Sequence, residues 1–376
     1  MKKVAVFFGG KSSEREISIL TGLFVLSLLD REKYEPIPLY MHLDGGIYST
    51  DNSVDLNDFK DVDVERFDKV VFVEKELYKL VKKGKKQTLL KPCGTIDVAL
   101  NCCHGGLGEG GGVSALAQLN EIPFASPCLT GSGAFMDKAF TKIVLRGLNI
   151  PHLDFVRVEE KDFVRRGKFL IKNVGKRLGY PVVVKPAKQG SSIGITLAKT
   201  EEELENALLL AFELDDKAVI EKYLDGKLDV NCAVYTLNGE IVVSEPEIAS
   251  SDDGVYSFSD KYLKDGRQLR GKRGRGGNLG KILTQRIKAY TKTVYKKCDL
   301  FGVVRMDYLV KDDEVYLSEV NTVPGSLAYY LFCERLVDAK AFFTDLIEEG
   351  LRKAEEKEKL LPQTGILKDV KFTRNK

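Results

Sequence analysis

Two neighbouring predicted strands near residue 310 carry four polar residues that could bind a metal ion beside a phosphate. Arg305 and Asp307 alternate on the first strand, and Glu319 and Asn321 alternate on the second. Side chains two residues apart share a strand face, so a hairpin would bring all four together. Two carboxylates and an amide oxygen suit Mg²⁺, and Arg305 could stabilise charge on a transferring phosphoryl group. Solvent-facing polar strands can have the same spacing, so both interpretations stay open.

A turn rich in glycine and serine follows a predicted apolar strand that ends at Lys185. It reads KPAKQGSSIG, from Lys185 to Gly194. Glycine lets backbone N–H groups approach an anion closely, and serine adds hydroxyl donors. Because the lysine precedes the glycines, this is not the GxxxxGK[ST] phosphate loop. The turn is a candidate phosphate site, although an ordinary connection between strands could have this composition.

A strongly basic segment runs from Lys261 to Lys281. It contains eight lysine or arginine residues and six glycines, with Asp265 as its only acid. Such runs are commonly solvated linkers. The functional alternative is a lid that is ordered by a bound polyphosphate and excludes water from a reaction.

The segment SSERE follows the first predicted strand at residues 12–16. Serine with glutamate three residues later is the pattern of a capping box at the start of a helix. One of the two acids, Glu14 or Glu16, could instead face a crevice and hold a substrate ammonium group. His104 ends another predicted strand, at the kind of edge where α/β sheets bind ligands.

The elements that would position these residues follow two patterns. Up to residue 125, apolar runs at 4–8, 37–41, 69–73, 96–103 and 122–125 are typical of strands, and 16–29 has helical spacing. This alternation predicts a parallel sheet covered on both faces, with residues 9–16 and 104–112 beyond its carboxyl ends. Beyond residue 130, strands predicted at 181–186, 218–224, 230–236, 303–310 and 314–320 are mixed with helices at 137–148, 201–212 and 282–297.

Composition argues against several classes of protein. The 376 residues carry a net charge of +3, which is too small to indicate nucleic-acid binding. The first apolar run is too short for a signal peptide, and no run approaches the roughly 20 apolar residues of a membrane span. Seven cysteines without a CxxC pair, and three histidines, argue against a thiol–zinc site. Reduced thiols fit a cytoplasmic protein of two or three domains.

Taken together and in this order, these segments resemble the D-alanine–D-alanine ligase family of ATP-grasp enzymes. The likeness covers residues 2–335 and rests on VAVFFGGKSSEREIS, HGGLGEGGG, MDKAFTK, VVVKPAKQGSSIG, IEKYLDG, DKYL, VRMDYLV and SEVNTVPG. It implies an α/β and α+β fold, in which an N-terminal parallel-sheet domain precedes a two-part ATP-grasp fold. The implied limits are 1–128 for the N-terminal domain, 129–215 for the central subdomain, 216–355 for the C-terminal subdomain with a basic lid at 251–281, and 356–376 for a charged tail.

The resemblance implies an ATP-dependent ligase that joins two D-amino acids, D-alanine with D-alanine first among them, through an acyl-phosphate. Such an enzyme makes a peptidoglycan precursor in the cytoplasm, uses ATP with two Mg²⁺ ions (or Mn²⁺), and forms a homodimer. Two alternatives stay open. The acceptor could be D-serine, D-lactate or another compound, or the chain could be a catalytically silent nucleotide-binding protein.

The resemblance also implies roles for the matching residues. Nucleotide contacts fall on Lys138, Lys185, Ser192, Ile193, Glu221, Lys222, Tyr223, Leu224, Asp229 and Lys261. Metal ligands fall on Asp307, Glu319 and Asn321. The catalytic group comprises a hydrogen-bonded set of Glu16, Ser191 and Tyr262, together with Arg305. Substrate contacts fall on His104, Gly325, Ser326, Leu327, Tyr330 and Leu331.

The sequence departs from the family pattern mainly around the second substrate. Ungapped matching puts Tyr330 where the family has a serine that binds the second substrate's carboxylate, and Leu331 on the following leucine. Ser326 and Leu327 could replace that pair if the loop is remodelled. GEGGG also stands where GEDG is common. Tyr262, in place of phenylalanine, favours an amine acceptor over a hydroxy acid.

Overall fold

The structure is a computed structural model that describes residues 1–51, 53–83, 87–249 and 279–356. Within these ranges the strands form three sheets, and helices pack on each of them. No helix in these ranges is long and apolar enough to cross a lipid bilayer.

The first sheet is mixed rather than wholly parallel. Its strand order is β6-β5-β4-β3-β2-β1-β7. The strands are β1 (Lys2–Gly9), β2 (Tyr34–Met41), β3 (Ile47–Ser49), β4 (Asp68–Val73), β5 (Glu76–Lys83), β6 (Gln87–Thr95) and β7 (Val98–Asn101). Strand β1 runs parallel to β2 and β7, whereas β3 to β6 are antiparallel to their neighbours. The predicted α/β class is confirmed, and the parallel arrangement holds for the half that carries the crevice.

The antiparallel half follows from short connections. A parallel pair needs a crossover of a dozen or more residues, whereas a tight turn can join only antiparallel strands. Two residues separate β4 from β5, and Glu74 adopts a positive φ of 54° in that turn. Helices α1 (Arg15–Leu28) and α2 (Val113–Leu119) accompany this sheet, and α1 is the crossover between β1 and β2.

The second sheet has the order β10-β9-β11-β8 and is covered by two helices. Its elements are β8 (Phe155–Glu159), α5 (Glu160–Leu178), β9 (Val182–Pro186), β10 (Thr196–Ala198), α6 (Glu201–Phe212) and β11 (Lys217–Lys222). Because β11 pairs with β8 and β9, this sheet extends beyond residue 215, the predicted limit of the central subdomain.

The third sheet contains the predicted hairpin. Its order is β13-β12-β15-β16, with β14 on β12. The strands are β12 (Leu228–Leu237), β13 (Glu240–Val243), β14 (Glu247–Ala249), β15 (Val304–Lys311) and β16 (Glu314–Asn321). The remaining α-helices of the described residues are α3 (Leu129–Met136), α4 (Lys138–Gly147), α7 (Gly280–Lys297) and α8 (Ala339–Ala354).

One hydrophobic cluster joins the first and third sheets. It includes Val6 and Phe8 of β1, Tyr235 of β12, and Phe342 and Phe343 of α8. All five side chains are buried, so the two sheets are held together by apolar packing. This shared core fixes the carboxyl end of β1 relative to the loop that follows β16.

We expect Gly22→Ala to disturb the packing of α1 on β1. A Cβ atom at Gly22 would lie 2.5 Å from the Cβ of Phe8, so α1 would have to move away from the sheet. The free energy of unfolding, measured by chemical denaturation, should fall by ~1–3 kcal/mol. Gly147→Ala in α4 is the control, because nothing lies within 4 Å of its added Cβ. Equal stability of Gly22→Ala and the unmodified chain would contradict this packing.

Candidate active site

Segments from two sheets meet beyond the carboxyl ends of β1 and β7. Ser12, which follows β1, donates a hydrogen bond to the carbonyl oxygen of His104 at 2.6 Å. Ser13 donates to Oε1 of Gln189 at 2.8 Å, and Gln189 belongs to the glycine- and serine-rich turn after β9. The capping-box interpretation of this segment is therefore wrong, since both serines bind other parts of the chain. These bonds connect the first sheet to the predicted phosphate site.

Of the two acids in SSERE, Glu14 faces the crevice and Glu16 does not. Ser191 donates a hydrogen bond to Oε1 of Glu14, whereas Glu16 is exposed on α1. A Cβ atom on Gly190 would overlap the Glu14 carboxylate, so glycine is needed for this close approach. The expected pairing of Glu16 with Ser191 is wrong, because α1 begins at Arg15 and turns Glu16 outward. Its proposed partner Tyr262 lies outside the described residues.

His104 lies where α1, the end of β7 and the loop after β16 meet. Its Nδ1 is 2.8 Å from the carbonyl oxygen of Val323, which can only accept, so Nδ1 carries the proton. Nε2 then accepts from the Thr21 hydroxyl at 2.8 Å, and Thr21 Oγ1 accepts from the Ser326 N–H at 3.2 Å. Burial lowers the pKa of His104 to about 4; its bond to Val323 opposes this shift, and the charge of Arg305 adds to it. A neutral imidazole thus anchors the loop after β16.

Glu109, inside the glycine cluster after His104, is a crevice residue that the sequence pattern did not reveal. Its Oε2 accepts from the Gly105 N–H at 2.8 Å, and its Oε1 accepts from the Val323 N–H at 3.2 Å. Burial and the neighbouring Glu14 raise the pKa of Glu109 to about 7, although the two backbone bonds oppose this rise. Glu109 connects the glycine cluster to the loop after β16. In the sequence, Glu109 could have been recognised as a single acid within the glycine-rich segment GGLGEGGG.

Two of the predicted phosphate-binding lysines pair with acids. Nζ of Lys185, on β9, lies 2.6 Å from Oε2 of Glu221 on β11. Lys142 of α4, which the sequence did not single out, approaches the other carboxylate oxygen at 2.6 Å. Burial opposes ionisation of Glu221, but the two ammonium groups lower its pKa to about 2. One helical turn before Lys142, Nζ of Lys138 lies 3.1 Å from Oε1 of Glu319.

The hairpin brings its four polar residues together as their alternation predicts. Register pairs Asp307 with Glu319 and Arg305 with Asn321. Arg305 donates to both oxygens of Asp307, at 2.7 and 2.8 Å, and Nδ2 of Asn321 donates to Asp307 at 3.0 Å. Two opposed carboxylates with an adjacent amide are a donor set that suits Mg²⁺. In the structure Arg305 and Lys138 supply the positive charge beside these carboxylates.

The loop after β16 contains a left-handed turn. Ser326, Leu327 and Ala328 have φ angles of 50°, 52° and 50°. Leu327 is buried in the core shared by the first and third sheets, which removes its side chain from the crevice. Beyond the turn, the Tyr330 hydroxyl accepts from Nη1 of Arg305 at 3.2 Å. The turn thus places Leu327 in the core and leaves Tyr330 beside Arg305.

The other predicted contacts are distributed along the same loops. Gly325 begins the turn, and Leu331 packs against the shared core. Three predicted nucleotide contacts are exposed or half-buried at the end of β11 and directly after it, namely Lys222, Tyr223 and Leu224. Ser192 and Ile193 lie in the glycine- and serine-rich turn, and Asp229 on β12 pairs with Lys227. Lys261 and the predicted lid from 251 to 278 lie outside the described residues.

The three-sheet fold is that of ATP-dependent ligases with an ATP-grasp fold. Family models match residues 3–127, as the D-ala D-ala ligase N-terminus, and residues 144–351, as the D-ala D-ala ligase C-terminus. The chain belongs to the D-alanine–D-alanine ligase family.

Relatives and solved structures agree with this assignment. A D-alanine–D-alanine ligase from Thermosipho melanesiensis is 33% identical over 374 residues, covering 98% of this chain and 99% of that protein. One from Caldicellulosiruptor bescii is 34% identical, covering 94% and 95%. The crystal structure of D-alanine–D-alanine ligase from Helicobacter pylori is 25% identical with a TM-score of 0.74, covering 96% and 100%. The fold is also that of the VanG D-Ala:D-Ser ligase from Enterococcus faecalis, at 23% identity, a TM-score of 0.72 and coverage of 94% and 99%.

We expect the imidazole of His104 to stay neutral from about pH 8 to about pH 5, as ring ¹⁵N NMR would measure, since its folded pKa of about 4 lies below the unfolded value of about 6.5. Acidification therefore favours the unfolded chain, and the contribution of this group to stability is lost as the pH falls from about 6.5 towards 4. Over that pH range, the free energy of unfolding of His104→Gln should fall by about 3 kcal/mol less than that of the unmodified chain. Titration of His104 near pH 6.5 in the folded chain would contradict the burial of a neutral ring between Val323 and Thr21.

Proposed function

We propose that this chain joins two D-amino acids, D-alanine with D-alanine first among them, while it converts ATP to ADP and phosphate. The observation that carries the proposal is the meeting of Lys138 with Glu319, because it brings a predicted phosphate-binding lysine to the predicted metal ligands. Membership of the family and the names of the relatives support the same activity.

Asp307, Glu319 and Asn321 are the residues that would hold Mg²⁺, with Mn²⁺ as a substitute. Asp307 and Glu319 lie opposite each other on adjacent strands, and Asn321 contacts Asp307, so their oxygens could bind ions beside a triphosphate. When bound, the ions supply positive charge to the phosphates. Lys138 and Lys185 would then exchange their carboxylate partners for phosphate oxygens. The adenine would bind along Glu221 and the segment 222–224, and the ribose at Asp229.

The first amino acid would bind with its ammonium group at Glu14. Its carboxylate attacks the γ-phosphorus of ATP, the bond to the bridging oxygen breaks, and an acyl-phosphate and ADP form. The neutral amine of the second amino acid then attacks the acyl carbon, and inorganic phosphate leaves with the bonding electrons and takes up the proton that the amine loses. Arg305 and the N–H of Gly325 would stabilise the oxyanion of the tetrahedral intermediate. Ser191, bonded to Glu14, orients that carboxylate.

The second substrate would bind between His104 and the loop after β16. Tyr330 occupies the position of the family's serine, and its bond to Arg305 places a hydroxyl donor beside the reacting centre. A phenol there is compatible with several acceptor carboxylates, so D-serine and D-lactate are tested beside D-alanine. A silent nucleotide-binding protein is disfavoured by the intact set of Arg305, Asp307, Glu319 and Asn321.

The proposed function also includes the use of the product, the location of the enzyme and its oligomeric state. The product would serve as a peptidoglycan precursor in the cytoplasm, and two copies of the chain would form a homodimer. Lys261 and Tyr262 would belong to a lid that covers the phosphates and excludes water. The central subdomain would end after β11 rather than at residue 215, because β11 belongs to the second sheet.

The direct test is an assay of phosphate release with product analysis by mass spectrometry. We expect release only when ATP, Mg²⁺ and D-alanine are all present, with the dipeptide as product, and little product from L-alanine. A panel with D-serine or D-lactate beside D-alanine identifies the preferred acceptor. Product from a mixed pair alone would correct the acceptor, whereas no release with any D-amino acid would overturn the proposal.

Glu14→Gln and Glu16→Gln distinguish the acid that holds the first substrate. Loss of the charge at Glu14 removes the ion pair with the substrate ammonium, so kcat/KM for D-alanine should fall about 100-fold. Glu16→Gln alters an exposed side chain of the same helix and should stay within about twofold of the unmodified enzyme. A larger loss of kcat/KM in Glu16→Gln than in Glu14→Gln would instead assign the binding of the substrate ammonium to Glu16.

A further inference from the structure

A lysine without an assigned role lies at the centre of the nucleotide site. Lys142 projects from the same face of α4 as Lys138, one turn later, and its side chain is only 1% exposed. It contacts the Glu221 carboxylate through one oxygen while Lys185 contacts the other, each at 2.6 Å. Two ammonium groups thus share one buried carboxylate.

This arrangement holds one more positive charge than Glu221 requires. Burial of an ammonium group is costly even when it is paired, and an aliphatic side chain could fill the same space in α4. The two lysines also differ in access. The Lys185 side chain is 14% exposed, whereas Lys142 is enclosed, so only Lys185 can turn towards a ligand in the crevice.

We propose that Lys142 is a positioning residue, which holds the Glu221 carboxylate when Lys185 turns to the phosphates of the nucleotide. The inference rests on the proposed function, in which Lys185 binds phosphate. Without Lys142, the departure of Lys185 would leave a buried carboxylate with no counter-charge, which is strongly unfavourable. Lys142 therefore lets Lys185 exchange partners, and it acts on the nucleotide only through Glu221.

The same strand and helix provide a matched control. Lys217 of β11 forms an ion pair with Asp137, which directly precedes α4. Lys217 and Lys142 therefore each connect β11 to α4, but only Lys142 contacts Glu221. If Lys142 served merely to hold these two elements together, removal of either lysine would affect nucleotide binding alike.

The test measures binding of ADP and of adenosine by calorimetry. Lys142→Met should weaken ADP binding about tenfold or more, because Lys185 stays with Glu221, and should change adenosine binding less than about twofold. A second substitution, Glu221→Gln, frees Lys185 and should restore most of the ratio of ADP affinity to adenosine affinity, because this ratio cancels any effect of Glu221 on the adenine. Lys217→Met should lower the thermal stability and leave the ratio of the two affinities unchanged.

Three outcomes would overturn the inference. These are unchanged ADP binding in Lys142→Met, equal losses for ADP and adenosine, and failure of the added Glu221→Gln substitution to restore the ratio of the two affinities. Should Lys142→Met not fold, Glu221→Gln alone is compared with the double variant. Equal ADP affinities support action through Glu221, and a lower affinity in the double variant contradicts it. An unmodified chain that binds no ADP would instead overturn the proposed function.

Discussion

The crevice depends on the mutual neutralisation of its charges. The three acids at the predicted phosphate and metal sites are each paired with lysine or arginine, since an isolated buried carboxylate would be strongly unfavourable. The pairs are Asp307 with Arg305, Glu319 with Lys138, and Glu221 with Lys185 and Lys142. The same carboxylates and ammonium groups are those that a metal and a triphosphate would engage. Binding therefore exchanges one set of opposite charges for another, which keeps the cost of emptying and filling the site low.

These pairs can form only because residues distant in sequence are held in register by packing. The shared core fixes the first sheet against the third, and His104 joins α1 to the loop after β16 through Thr21 and Val323. Helix α4 carries Lys138 to the third sheet and Lys142 to the second. The residues of the crevice are thus divided among sheets that one continuous network of contacts holds together.

Local patterns in the sequence predicted the hairpin well, because strand alternation alone decides which side chains share a face. The same reasoning could not choose between Glu14 and Glu16. That choice depends on where α1 begins and on the close approach of Gly190 to Glu14, and Gly190 lies in the turn after β9 of the second sheet. The antiparallel half of the first sheet was missed because short turns, rather than apolar runs, set strand direction. Lys142 was missed because a lysine in a helix is usually exposed, and only tertiary packing encloses it.

The left-handed turn constrains how this loop can evolve. Three consecutive L-residues in that conformation cost roughly 1–2 kcal/mol each, and burial of Leu327 and Ala328 offsets part of the cost. Valine, isoleucine or threonine would crowd the backbone at any of the three positions, whereas asparagine or glycine would relax it. Residues 326–328 can therefore be replaced by only a few types of amino acid without added backbone strain. Neighbouring Tyr330 is outside this restriction, so the side chain that contacts Arg305 can change while the backbone path stays the same.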